Sequence, residues 1–370
     1  MRKILYLITC LFFGSQVKAQ KSNYNLVVGT YTSPGKSEGI YVYDFKVKDA
    51  SMHLKSLTKN VANPSFLALA PDSKFIYSVN ETGATSAVSA FTFNPTSGGL
   101  TFLNKQVSHG ADPCYLIADR KHVIVANYSG GSLAVFGRKA DGSLTEAKQV
   151  IQHTGKSIDP LKRQESAHVH MVQFTPDHRY LICNDLGEDQ IYIYNYNPND
   201  VDQILSIKTV IKTNPGSGPR HLTFSPNGKF AYLAHEFNGS ITAFAYANGI
   251  LNKIQEIGSV SPTFKGKIDG ADIHVSPDGK FLYESNRGDA NAISVFSILP
   301  TGTLKFIESV STLGKGPRNF VIDPTGDYLL VGHQYTNDIV IFKRDRATGK
   351  LKDTGKRIDV GAPVCLVFSP

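Results

Sequence analysis

Ser225-Pro226-Asn227-Gly228-Lys229-Phe230-Ala231-Tyr232-Leu233-Ala234-His235-Glu236 joins a tight turn to a short apolar run. Pro presets φ in such a turn, Asn bonds its own backbone further on, and Gly accepts a left-handed conformation. The phrase recurs around Pro71, Pro176, Pro277 and Pro324, in the degraded form Ala118-Asp119, and ends at Pro370. Seven markers thus stand 46 to 57 residues apart, and a period near fifty residues signals a repeat architecture. The runs that follow, Phe281-Leu282-Tyr283 and Tyr328-Leu329-Leu330-Val331 among them, are short and bounded by Gly, Asn or Pro. Next come runs rich in β-branched and aromatic residues, such as Ile191-Tyr192-Ile193-Tyr194 and Ile293-Ser294-Val295-Phe296, which read as strands. A fourth, more variable run follows, as in Leu304-Lys305-Phe306-Ile307. No window of eleven residues carries a helical period. Four antiparallel strands in each of seven units predict an all-β, seven-bladed propeller.

The two ends of the chain predict how the ring closes. The seventh unit retains only its first run, Val364 to Phe368, before the chain stops at its turn. Leu26-Val27-Val28-Gly29-Thr30-Tyr31 aligns with the second run of a unit and Gly39-Ile40-Tyr41-Val42-Tyr43 with the third. The amino-terminal strands are therefore expected to complete the last blade, giving one domain over residues 24–370 with no long unpaired inner edge.

Composition narrows the class. The chain of 370 residues is 41% hydrophobic and 19% charged, enough apolar material for a large core and too much for a disordered chain. Trp is absent, which excludes repeat families defined by one Trp per unit. The formal charge is +8, and the basic residues are scattered without a stripe, so nucleic-acid binding is not expected. A diffuse positive field suits a small anion. Met1-Arg2-Lys3, the apolar run Ile4 to Phe13 and Val17-Lys18-Ala19 before Gln20 form an export-signal pattern too short to span a bilayer. Residues 1–19 are expected to be removed, and the protein to be periplasmic or secreted, monomeric and without a membrane span. Cys10 lacks a small residue before it and is a weak lipid-anchor site. Cys114, Cys183 and Cys365 show no metal-ligand spacing and are expected as buried thiols.

Strand direction then picks out one face. In a meander, residues before the first strand and after the second share an end of the blade, opposite the Pro-Asn-Gly turn. The slots before the first strand hold His168 and His170, Pro219-Arg220-His221, Asp272 and His274, and Pro317-Arg318-Asn319. The slots after the second hold Asn80-Glu81, Asn127-Tyr128, Asn184-Asp185, His235-Glu236 and Asn286-Arg287. Asn in such positions makes turns, but tight turns do not need Arg220, Glu236 or Arg287.

Val28-Gly29-Thr30-Tyr31-Thr32, Asn63-Pro64-Ser65-Phe66, Ala126-Asn127-Tyr128-Ser129-Gly130-Gly131, His168-Val169-His170, Gly218-Pro219-Arg220-His221, Ser285-Asn286-Arg287 and Gly316-Pro317-Arg318-Asn319 resemble the seven-bladed propeller lactonase family. That family includes propeller-type 6-phosphogluconolactonases and the carboxy-cis,cis-muconate cyclases. The resemblance runs in order over the mature chain. It implies a catalytic group of His170, Arg220, Glu236 and Arg287, with His168 a second candidate for the histidine. His168, His221, His274, Asn286 and Arg318 are the expected substrate-binding residues.

Those residue types suit lactone opening by water, which needs a base, a cation for the tetrahedral oxyanion and an acid for the leaving alkoxide. His170 or Glu236 is the expected base. No G-x-S-x-G phrase occurs, which favours direct attack by water over an acyl-enzyme. The expectation is a metal-independent hydrolase of an anionic sugar or organic-acid lactone, with no cofactor. A lactonising cyclase and a non-catalytic binding propeller are the alternatives. A calcium site at Glu236, Asn184 and Asp185 is disfavoured because Arg220 and Arg287 would repel the ion. Charges meeting without internal balance predict that removing either arginine hardly lowers stability.

Overall fold

The computed structural model describes residues 22–33, 35–159 and 162–369, so the expected export signal lies outside the described residues. Seven four-stranded antiparallel sheets are arranged as the blades of a propeller. The only helical element among the described residues is a 3₁₀ turn at Gly83–Thr85. Blade one begins at Leu67–Leu69, and the inner strands of blades two to six are Pro113–Ala118, Val169–Phe174, Pro219–Phe224, Gly270–Val275 and Pro317–Ile322. Blade seven joins the chain ends: Pro363–Ser369 is its inner strand, followed by Asn23–Thr30, Gly39–Lys46 and Ser51–Lys59. Val27 pairs with Val367 and Val28 with Leu366 across that seam.

The repeated turn builds itself from side-chain hydrogen bonds. Thr175, Ser225 and Ser276 each donate a hydroxyl to the carboxylate or amide oxygen two residues on, at 2.6, 2.7 and 2.6 Å. The same oxygens accept the backbone N–H of Arg179, Lys229 and Lys280. A hydroxyl, Pro, Asp or Asn, and a basic residue two further on therefore recur because this local network fixes each hairpin. Gly228, Gly279 and Gly326 take φ of +67°, +71° and +76° in it, where a Cβ would be strained.

Burial is organised by blade junction. Each of the seven interfaces between neighbouring sheets has its own apolar cluster among the described residues. The closing junctions pack Leu26, Val28 and Phe45 against Leu330 and Ile341 on one side, and Val27 and Val42 against Leu67 and Ile76 on the other. Cys114, Cys183 and Cys365 are buried and unpaired.

Candidate active site at the channel mouth

The inner strands break register near their beginnings. Shifts occur between Pro113 and Tyr115, Val169 and Met171, Pro219 and Leu222, Gly270 and Ile273, and Pro317 and Asn319. A bulge re-aims side chains, and these bulges carry Cys114, His170, Arg220-His221, Asp272 and Arg318. The second strands end alongside them: Glu236 N–H donates to Gly218 O at 2.8 Å and Arg287 N–H to Asp269 O at 2.8 Å. The face expected from strand direction is thus where the charged residues gather.

Glu236 is the hub. Its Oε2 accepts from Arg220 Nε at 2.9 Å and lies 3.2 Å from Arg287 Nη2, while Oε1 accepts from Arg163 Nη1 at 2.5 Å. Arg287 also donates to Asp269 Oδ1 at 2.7 Å. Burial alone would raise the Glu236 carboxyl, but Arg287, Arg220 and Arg163 hold it at about 2. A carboxylate bound this firmly is a poor general base, which corrects one of the two expectations for that role. Three arginines against Glu236 and Asp269 leave the cluster net positive. Arg220, 1% exposed, further donates to Ala271 O at 2.5 Å.

His170 stands beside this cluster with Nε2 3.9 Å from Glu236 Oε2, beyond hydrogen-bond reach. Burial, then the charges of Arg220, His221 and Arg318, push its pKa well below the usual value. Burial and these charges favour the neutral ring and weaken it as a base until an anionic ligand offsets the arginines. Cys114 Sγ is 3.7 Å from His170 Nδ1, yet burial raises the thiol far from ionisation, so this pair is not a nucleophile and base.

The expected binding residues divide. Arg318 reaches the mouth, its guanidinium carbon 5.7 Å from the Tyr31 ring centroid, and it makes no hydrogen bond or ion pair with a described residue. His168 stacks on Tyr128 at 4.5 Å. His221 adjoins His170 at 5.3 Å and bonds Asp272 through Nδ1 at 2.8 Å. His274 lies deeper along the same strand, 2.9 Å from the other Asp272 oxygen. Asn286 is fully buried and accepts from Asp269 N–H at 3.2 Å, away from Glu236. The suggested calcium donors also separate. Asp185 bonds His153 at 2.7 Å, and Asn184 donates to Arg220 O at 2.9 Å. His153, Asp185 and Glu188 are close enough to share an ion, but Tyr194 holds the second ring nitrogen of His153.

Arg163 and Asp269 were not singled out in the sequence. Arg163 and Asp269 sit on the two longest blade connections, residues 153–168 and 259–269, so connector length was the available signal. Glu284 was also missed. It is a buried carboxyl pushed up to about 8 by burial, at a strand position where Leu233 and Val331 stand in the neighbouring blades. Beside the mouth a groove of about 630 Å³ is lined by Tyr31, Lys36, Glu81, Gln334 and Tyr335, among others. It shares Tyr31 and Glu81 with the surroundings of Arg318.

The buried histidines make stability depend on pH. Burial lowers His170, His221 and His235, the last two to about 4. Below about pH 6.5 the unfolded chain takes up protons that the folded chain refuses, so stability falls as pH falls, by on the order of 2 kcal/mol at pH 5 for each of His221 and His235. His274, raised by Asp272 against the effect of burial, and Glu284, raised to about 8 by burial and so adding stability as pH falls, oppose the other three. The depressed pKa values of Glu236 and Asp272 add losses only at lower pH. Calorimetry should therefore find a lower Tm at pH 5 than at pH 7; an equal or higher Tm would contradict the buried neutral histidines.

Comparison with known proteins agrees with this fold. The family model described as "Lactonase, 7-bladed beta-propeller" matches residues 25–368. A Bacillus subtilis protein named 6-phosphogluconolactonase is 36% identical over 92% of this chain and 97% of its own length. One of the same name from Formosa agariphila is 38% identical over 88% and 94%. The solved structure of a Pseudomonas aeruginosa periplasmic gluconolactonase aligns with a TM-score of 0.90 at 37% identity, covering 94% of this chain and 99% of that one.

Proposed function

Since the chain belongs to the seven-bladed β-propeller lactonase family, we propose that it hydrolyses an anionic sugar or organic-acid lactone at the channel mouth, by metal-independent acid–base catalysis. The observation that carries this reading is the pairing of Arg318, a guanidinium with no hydrogen bond or ion pair to a described residue, with a neutral His170 whose pKa it helps to lower. A half-buried guanidinium that, among the described residues, only the Tyr31 ring contacts favours an anionic or carbonyl ligand.

In the proposed step, His170 takes a proton from water as the water oxygen bonds to the lactone carbonyl carbon. Arg220 and Arg318 stabilise the resulting oxyanion, and Arg287 holds Glu236 in place. The ring C–O bond then breaks, and the leaving alkoxide receives the proton from His170. A histidine with a depressed pKa gives that proton up readily. Asp272 orients His221, and through it the floor of the site; His274 and Asn286 support the strands around it, and His168 forms the rim. Export, expected from residues 1–19, suits a substrate met outside the cytoplasm, as does the likeness to a periplasmic gluconolactonase.

A panel of lactones assayed with and without EDTA tests the reading. Hydrolysis that survives EDTA is expected. Loss of activity restored by calcium would replace it with a metal site, and failure to open any lactone would leave a binding propeller. Lactone formation favoured from the open acid would support a cyclase.

A further inference from the structure

We propose that Arg163 is a specificity-determining residue: it leaves Glu236 on substrate binding and grips a phosphate or carboxylate that the lactone carries away from its ester. The inference rests on the lactonase reading and assigns a residue to the anion of the substrate.

The chain places sixteen residues, 153–168, between the strands Leu144–Gln152 and Val169–Phe174, against three to eleven at the other blade junctions. That insertion is held down at several points by the hairpin of blade three. Gly155 N–H donates to Glu188 Oε1 at 2.6 Å, His168 N–H to Asp185 Oδ1 at 2.8 Å, and Gln164 Nε2 to Leu186 O at 2.8 Å. Within the insertion, Asp159 accepts from the backbone N–H groups of both Arg163 and Gln164. A long connector anchored this way brings Arg163 over the mouth.

Arg163 differs from the other cations on Glu236. Its side chain is 41% exposed, against 1% for Arg220 and 8% for Arg287. It also binds the oxygen that the other two leave alone. If Arg163 turns away, Glu236 keeps Arg220 and Arg287 on Oε2 and is not stranded as an unpaired buried charge. The second terminal nitrogen of Arg163 donates to the Tyr128 hydroxyl at 2.6 Å, and the guanidinium carbon lies 5.2 Å from the Phe237 ring centroid, so a turn toward substrate exchanges two side-chain acceptors for the two oxygens of an anion. A planar fork on a 41% exposed side chain beside a cationic pocket matches the two oxygens of a phosphate or carboxylate once it leaves Glu236 and Tyr128.

The test compares kcat and KM of the full-length protein and its Arg163→Gln and Arg163→Lys variants on three probes. These are 6-phosphoglucono-δ-lactone, a glucarolactone bearing a carboxylate, and neutral glucono-δ-lactone. Arg163→Gln should lower the preference for the anionic lactone over the neutral one by about 30-fold, carried by KM, since a charge-assisted bond is lost. Arg163→Lys should recover part of that preference. Which anionic lactone responds identifies the group gripped. An equal loss on all three probes would make Arg163 a merely structural partner of Glu236 and overturn the inference. So would a parent enzyme that opens all three lactones without preference. A parent that opens none overturns the lactonase reading itself.

Discussion

Arg220→Ala should lower kcat/KM for the preferred lactone by about 2–4 kcal/mol in transition-state binding, roughly 30- to 1,000-fold, the range for removing an oxyanion donor from a water-poor site. The same change should also lower the melting temperature. Arg220 is almost wholly buried and donates to Glu236 and to Ala271 O. Without it a carbonyl loses its partner and a buried carboxylate loses one of three cations, at a cost of about 3 kcal/mol. Burial and then the charges of Arg287 and Arg318 push the Arg220 pKa down to about 10, so removing it relieves the like-charge repulsion expected from sequence, but the lost bonds to Glu236 and Ala271 O outweigh that relief. Kinetics at a temperature where the variant melts cooperatively above the assay separates the two effects. Turnover equal to the parent on every lactone it opens would refute the role of Arg220.

Removal of Ile358 to Pro370 should abolish folding altogether. The deleted segment carries the inner strand Pro363–Ser369, to which Asn23–Thr30 is paired. Cys365 belongs to the apolar cluster at one closing junction and Leu366 to that at the other. Without this strand the amino-terminal strands lose their ladder and both neighbouring blades expose apolar faces. A loss spread over two of seven junctions far exceeds the marginal stability of a typical domain. A truncated chain with a cooperative melt at the parent temperature would contradict the closure.

The fold was legible because it repeats. One turn network, seen in Thr175-Asp177, Ser225-Asn227 and Ser276-Asp278, writes the same few residue types at every blade, and a period near fifty follows. Position on a face was legible as well, since strand direction alone puts Arg220, Glu236 and Arg287 at one end. What remained hidden were features that break the repeat. Arg163 lies on an insertion with no counterpart in the other blades, so no alignment of the units points to it. Its trace is the interval of 57 residues between Asp119 and Pro176, longer than every other interval. Glu236 illustrates a different gap. A glutamate among arginines fits both a base and a structural anion, and only the three contacts at its oxygens decide between them. Asn80, Asn127, Asn184 and Asn286 lie at or near the ends of second strands rather than in turns. Their side chains bond to the backbone of Ala62, Ser108, Arg220 and Asp269, tying those strand ends to the connectors and, for Asn184, to the inner strand of the next blade.

The central claim is that the lactone opens between His170 and the arginines, and the most direct measurement is a crystal structure with an unreactive lactam analogue of an anionic lactone. The analogue's carbonyl oxygen should lie about 3 Å from a guanidinium nitrogen of Arg220 or Arg318, with its carbonyl carbon facing His170 Nε2. An analogue seated in the groove along Gln334 and Tyr335, touching none of the four arginines, would contradict it.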